Sequence, residues 1–472
     1  MRQFDLCVIG SGPAGQKAAI QAAKLGKSVC VAELQSVVGG VAVNTGTIPS
    51  KALREAILNL GGCRTVVPSS ADFAIAARGA TLAGLWAPCE KVIREEIEMV
   101  ERHFATNNVA VLRGKASFKD PHTIEVAGEH SVEAISAANV LIAVGTHPAR
   151  PANVPFDDAN VITSDELLKL KDLPKSMIIV GGGVIGTEYA SMLSALNVKV
   201  TLIEGRSRLL DFVDAEIIEA LQYHLRQGGM TLRLGEKVVS IKRIEAPEGS
   251  RASDAVMAEA MLESGKTLKA DCLLYAIGRQ GATDGLNLAA AGLAADDRGR
   301  IKVNRNFQTS VPHIFAAGDV IGFPSLASTS MEQGRLAACN MFGERCDSVQ
   351  ELLPYGIYSI PEISMVGWTE ERLTQEGIPY ESGIAQYKEI ARGQLLGDEI
   401  GMLKMLIHQE SHTILGVHVI GSGATELVHI GQAVMAFQGT VEHFVNTVFN
   451  YPTLAECYKV AALNGLNKLR NV

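Results

Sequence analysis

A chain of 472 residues with a net charge of −8 and no basic block argues against nucleic acid as a partner. Its mean hydropathy is only slightly positive, and no apolar run approaches the roughly 20 residues of a membrane span, so no membrane partner is expected. The length exceeds what one hydrophobic core serves and predicts about three domains.

The first predicted unit reads strand, glycine-rich turn, helix, strand. Phe4 to Ile9 runs into Gly10-Ser11-Gly12-Pro13-Ala14-Gly15, an alanine-rich helix reaches Leu25, and a second strand ends on Glu33. The glycines allow a tight turn, close approach of backbone to a pyrophosphate, and close helix–strand packing. The helix N-terminus meets the phosphate charge, and an acid ending the second strand can hold ribose hydroxyls. A loop follows, Gly39 to Lys51, and then a helical excursion in which Ile93, Ile97, Val100 and Phe104 form one apolar stripe, read as structural packing.

The second unit repeats that grammar. Met177 to Val180 leads to Gly181-Gly182-Gly183-Val184-Ile185-Gly186, a helix through Leu196, and a strand from Val198 to Glu204. The interval from first glycine to acid is 23 positions in both copies. Two unrelated glycine turns would not share interval and flanks. Two dinucleotide sites on one polypeptide imply electron exchange between their occupants. The segment from Val349 onward mixes strands (402–407, 414–420) with helices (424–437, 454–469). Cys7, Cys30, Cys63, Cys89, Cys272, Cys339, Cys346 and Cys457 form no CxxC pair and sit mostly in apolar patterns. They read as reduced, buried thiols. With a strand beginning almost at the N-terminus, leaving no room for a secretory signal, the expected setting is the cytoplasm. No metal site is expected.

Three further stretches carry a resemblance over essentially the whole chain. Gly39 to Lys51 resembles the redox loop of the pyridine nucleotide-disulfide oxidoreductases, Thr309 to Asp319 resembles their second flavin motif, and Ile360-Pro361-Glu362 with Val366-Gly367 resembles their dimerisation domain. The resemblance implies an α/β fold with two Rossmann-like domains and an α+β C-terminal domain. The expected layout is an FAD-binding domain over 1–150, an NAD(P)-binding domain over 151–277, a second FAD-binding or central part over 278–347, and a dimerisation domain over 348–472 of a homodimer. It assigns the first glycine turn (Gly10, Gly12, Pro13, Ala14, Gly15, Glu33) to FAD, together with Ala42, Thr47, Lys51, Ala116, Gly145, Gly278, Asp319 and Ala327. NAD or NADP falls to Gly181, Gly183, Ile185, Gly186, Glu204 and Arg206, with Arg208 close enough in sequence to help offset repulsion of a 2′-phosphate by Glu204. Asp319 would accept a hydrogen bond from the ribityl chain, and the helix after it would aim its N-terminus at the flavin's pyrimidine end. Leu141 to Thr146 resembles the crossing out of the FAD domain, and Ile277-Gly278-Arg279 the return. Lys51, pairing with Glu188, would stabilise charge on reduced flavin and hold the nicotinamide; these two are the catalytic residues expected. Val184 stands where some members carry a tyrosine gate.

The chain departs from the family on one side only. Ala42 and Thr47 occupy the two redox-cysteine positions, and Tyr451 replaces the histidine that precedes Pro452, although Glu456 persists. Neither alanine nor threonine forms a thiolate, and a tyrosine with a pKa near ~10 is a poor proton shuttle. Thiol–disulfide exchange is therefore excluded at this site. The run Gly46 to Ala56, the stretch Phe449 to Thr453 and the closing Val460 to Asn467 are similar to the branch that passes hydride between NADPH and NAD through FAD. Rival expectations are an NAD(P)H oxidase or a reductase of quinone or another acceptor, and a non-enzymatic sensor of the nicotinamide pool.

Overall fold

The computed structural model describes residues 1–60, 82–245, 256–346 and 352–470. Cys63 and the expected boundary at 347/348 lie outside the described residues. The chain divides into two compact units. One comprises Met1–Leu53, Trp86–Ala149 and Gly278–Gln350; the other comprises Arg54–Leu85, Arg150–Ile277 and Glu351–Val472.

In the first unit the strand Arg2–Ile9 is flanked in parallel by Val29–Glu33 and Val132–Ile142, with Ala110–Arg113 beyond Val29–Glu33. The long strand Val132–Ile142 does two jobs. Its N-terminal half pairs antiparallel with Thr123–Ala127, and its C-terminal end pairs parallel with Ile314–Ala316. Alternate residues feed opposite cores: Leu6, Val8, Val31 and Leu141 on one face, Cys7, Ile9, Cys30 and Ile142 on the other. Burial on both faces explains why these strands read as unbroken apolar runs. Helix Pro13–Lys24 covers one face beside helix Ala327–Met341, and Gly334 permits their contact, since a Cβ there would lie 2.0 Å from Ala14 O. The stripe Ile97, Val100, Phe104 of helix Leu82–Thr106 packs into the same core.

The expected loop Gly39–Lys51 is largely helical. Positive φ at Gly39 and Gly40 turns the chain into a short helix Gly40–Asn44, and Thr47–Leu60 is a second helix. The Asn44 side-chain amide donates to Val38 O and Gly40 O, which ties the short helix to its own entry turn. Pro49 sits in the first turn of the second helix, where its missing N–H costs nothing.

In the second unit, five parallel strands stand in the order Thr231–Leu234, Lys199–Glu204, Ser176–Val180, Cys272–Tyr275, Val161–Ile162. A three-stranded antiparallel sheet (Val238–Glu245, Val256–Leu262, Thr267–Ala270) packs against them. The C-terminal part forms a five-stranded antiparallel sheet that includes Met402–His408 and Ile414–Ile420, covered by helices Ala424–Ala436 and Glu456–Leu469.

One buried cation stands out in this unit. Lys404 is fully buried, yet its Nζ meets Asp214 at 2.9 Å, Glu216 at 2.9 Å, and Glu370. Burial opposes the ammonium, but the hydrogen bonds and charges of the carboxylates win and push its pKa up. His418, also buried, rests its Nε2 on Trp368 O at 2.8 Å.

Candidate functional site

Both glycine turns use their glycines in the same way. Gly10 and Gly181 have φ of +103° and +111°, and a Cβ at either would come within 2.8 Å of a carbonyl oxygen of the neighbouring strand end (Ala143 or Ala276). A Cβ on Gly15 or Gly186 would lie 2.0 or 1.9 Å from Gly10 O or Gly181 O, so the third glycine lets helix and turn touch. By contrast, nothing stands within 4 Å of where a Cβ on Gly12 or Gly183 would be. These two glycines are the N-caps of helices Pro13–Lys24 and Val184–Ala195. Neither helix has a side-chain cap or an acid in its first turn. The N-terminal N–H groups of both helices thus have no side-chain cap, the arrangement by which a helix N-terminus can receive a diphosphate. Ile185 lies half-buried in the first turn of the second helix.

The two acids differ. Glu33 is buried and is held by neutral donors: Oε2 accepts from Ser11 N at 2.9 Å and from the Ser11 hydroxyl, and Oε1 accepts from Gln35 N at 2.8 Å. Glu204 is held by a cation. Its Oε1 accepts from Arg206 N (2.9 Å) and Nε (3.0 Å), and its Oε2 accepts from Gly182 N (2.6 Å) and Arg206 Nη2 (2.9 Å). Burial raises the Glu204 pKa, but the hydrogen bonds from Arg206 and Gly182 outweigh it and hold the carboxyl below the usual range. Arg206 also binds Asp211. Arg208 is not beside Glu204 as expected: its Nη1 pairs with Glu371 at 2.9 Å and its Nη2 donates to Asp211 O. A carboxylate on another segment has withdrawn it from the ribose acid.

The remaining FAD-assigned residues of the first unit lie at strand ends and in the early turns of helices. Asp319 opens a 3₁₀ turn after Ile314–Ala316; its carboxylate accepts from Ser330 Oγ (3.3 Å) and Thr146 Oγ1 (3.5 Å). Burial raises its pKa, offset in part by the charge of Arg279. Arg279 in turn donates to Thr146 Oγ1 and O, both at 2.8 Å. Gly145 has φ +65° with nothing within 4 Å of a Cβ, as does Gly278 with φ +81°. Ala327 begins helix Ala327–Met341, whose N-cap Leu326 offers no side-chain cap. Ala116 is buried in the strand after Gly114, whose N–H donates to Glu33 O. Ala42 is half-buried in the short helix, and Thr47 is exposed at the start of the next. Lys51, half-buried one turn later, donates to Ser50 Oγ at 3.3 Å.

In the second unit Glu188 lies buried on helix Val184–Ala195, and its Oε1 accepts from Tyr358 N at 2.8 Å. Ser191, one turn on, accepts from Ile360 N at 3.0 Å, while Arg54 pairs with Glu362 at 3.2 Å. The roles of Ser11 and Asp211 were missed by sequence reasoning, and Thr146 and Arg279 were read only as parts of the two crossings, not as partners of each other and of Asp319. Ser11 lay in view between two glycines; Asp211 carried no signal, being seven residues past the acid it serves.

Two dinucleotide folds, each with an uncapped helix N-terminus and an acid at its second strand, define a two-nucleotide oxidoreductase. Residues 4–334 match the model of the pyridine nucleotide-disulphide oxidoreductases, and residues 353–462 match the dimerisation domain of that family. The chain belongs to this family. It is 52% identical over its whole length to a soluble pyridine nucleotide transhydrogenase of Mycobacterium tuberculosis, covering 98% of that protein. It is 46% identical to one of Colwellia psychrerythraea, over 99% of this chain and 98% of that one. Among solved structures it is similar to the HOCl-induced flavoprotein disulfide reductase RclA from Escherichia coli, with a TM-score of 0.84 and 27% identity over 98% of this chain and 99% of the other.

Proposed function

We propose that this protein is an FAD-dependent transhydrogenase that moves hydride between NADPH and NAD without a redox disulfide. The observation that carries the reading is the duplicated dinucleotide turn in a chain with Ala42 and Thr47 at the redox positions. The names of its full-length relatives support it. Bound FAD would accept hydride from one nicotinamide and return it to another. The first glycine turn and Glu33 hold the permanent dinucleotide, with Asp319 and the N-terminus of helix Ala327–Met341 toward its reactive end. Lys51 supplies a cation where negative charge develops, and Glu188 an acceptor for the nicotinamide carboxamide. The second glycine turn holds NAD or NADP in exchange, one at a time.

The same reading takes the chain as a homodimer joined through residues 353–462. The described part of that segment exposes Phe437 (88%), Val448 (90%) and Tyr451 (68%), apolar surface of the kind a second copy covers. It also places the protein in a reducing, cytoplasmic setting. Of the seven cysteines among the described residues all are free thiols, six of them buried.

A single exchangeable nucleotide fold requires the donor to leave before the acceptor binds. Initial rates with NADPH against several fixed NAD concentrations should give parallel double-reciprocal lines, with inhibition by either nucleotide at high concentration. Intersecting lines would defeat the one-site reading. Oxygen consumption faster than NAD reduction would make the protein an oxidase.

A further inference from the structure

A carboxylate offers about four acceptor positions, and all four on Glu204 are taken. Each oxygen accepts one backbone N–H, from Arg206 or Gly182, and one guanidinium N–H of Arg206. The ribose hydroxyls of a bound nucleotide can reach Glu204 only if the Arg206 side chain gives way, which would vacate one position on each oxygen. A 2′-phosphate at the same ribose would draw that guanidinium to itself. Either ligand therefore moves the same side chain. Asp211 is already in contact with Arg206 Nη1 and offers it a second seat, while Arg208 is committed to Glu371 and cannot replace it. The other charges at the turn are Glu236, whose Oε2 accepts from Ser264 Oγ, and Lys237, whose stem lies 3.3 Å from where a Cβ on Gly205 would be.

We propose that Arg206 is a movable gate on the ribose acceptor Glu204, resting on Asp211 when an unphosphorylated adenosine ribose binds and turning to the phosphate when a 2′-phosphorylated one binds. This rests on the reading of Gly181–Glu204 as the exchangeable nucleotide site. It adds that the arginine hinders one ligand class while recruiting the other, so one pocket serves both without rebuilding.

Calorimetric titration of the oxidised holoenzyme with ADP-ribose and with its 2′-phosphate tests the gate apart from any hydride step. Arg206→Ala should tighten ADP-ribose and weaken the phosphorylated ligand, each on the order of five-fold, the size of one net hydrogen bond. Asp211→Asn should tighten the phosphorylated ligand by a similar factor without tightening ADP-ribose. It should have no effect on either when Arg206 is already alanine. An Arg206→Ala protein whose ADP-ribose affinity is unchanged or weaker overturns the gate, because an arginine that only binds phosphate would behave so. An Asp211→Asn effect that survives in the Arg206→Ala background also overturns it. If the binding shifts appear and the wild type passes no hydride between NADPH and NAD, the gate stands and the transhydrogenase reading falls.

Discussion

The two glycine turns share spacing, glycine geometry and helix N-termini, yet the acids that close them are held in different ways. Glu33 is fixed by the Ser11 hydroxyl and by backbone N–H groups, donors with nowhere else to go. Glu204 is held by an arginine that has a second carboxylate in reach. An acid anchored by neutral and backbone donors suits a ligand that stays, and an acid under a displaceable cation suits ligands that come and go. On the proposed assignment, the same fold becomes a cofactor site or a substrate site through a few residues around one carboxylate.

The glycines provide the severest test of that division. Gly15→Ala and Gly186→Ala would each press a methyl to about 2 Å from a carbonyl oxygen of their own turn, a strain of the order of 1–3 kcal/mol. Gly15→Ala should yield protein that loses its flavin on gel filtration. Gly186→Ala should stay yellow but need up to about 100-fold more of either nucleotide for half-maximal rate. The comparison breaks if the Gly186 variant is the colourless one.

A gentler test exchanges the acids. Glu33→Gln should weaken flavin retention about ten-fold, since Ser11 loses a charged acceptor. Glu204→Gln should keep its flavin and shift the ratio of kcat/KM for NADPH over NADH upward by about ten-fold, because the carboxylate that repels a 2′-phosphate is gone. Steady-state rates with each donor and flavin fluorescence in the filtrate read the two outcomes.

The smallest expected effect concerns stability. Asp319 has its pKa raised by burial in the folded chain, so its ionised form disfavours folding at any pH above that raised value. The penalty fades as pH falls and is gone below the ordinary aspartate range. Asp319→Asn should therefore stabilise flavin-free protein by about 1 kcal/mol at neutral pH and by progressively less toward pH ~4, while weakening flavin retention. Thermal melts of apoprotein and holoprotein across that range would show it; a uniform loss of stability would mean that Asp319 is structural.

Much of this was legible in the chain. Apolar runs bounded by glycine turns disclosed both nucleotide folds, because strands buried on two faces leave no polar alternation and the turns admit no side chains. Ala42 and Thr47 spoke for themselves as residues without thiol chemistry. The region from Gly39 to Lys51 looked like a loop because three glycines and a proline mask the short helices between them. Charge partners were the least visible. Arg208 and Glu371 stand 163 positions apart, and nothing in either segment foretells the other. Lys404, flanked by Leu403 and Met405, sits in a strand buried along nearly its whole length, where alternation would have pointed it to solvent.

That lysine bears on how such proteins can be recombined. Asp214 and Glu216 begin the helix that follows the nucleotide-specificity turn, while Glu370 and Lys404 belong to the C-terminal segment. A graft of residues 151–277 from a relative that lacks Asp214 and Glu216 would remove two of the three carboxylates around a desolvated ammonium and leave it Glu370 alone, destabilising the hybrid. Neither segment is a free-standing cassette. Coenzyme preference is inherited together with a patch of C-terminal sheet, and shuffling libraries cut at position 277 should be depleted of survivors unless position 404 travels with the insert.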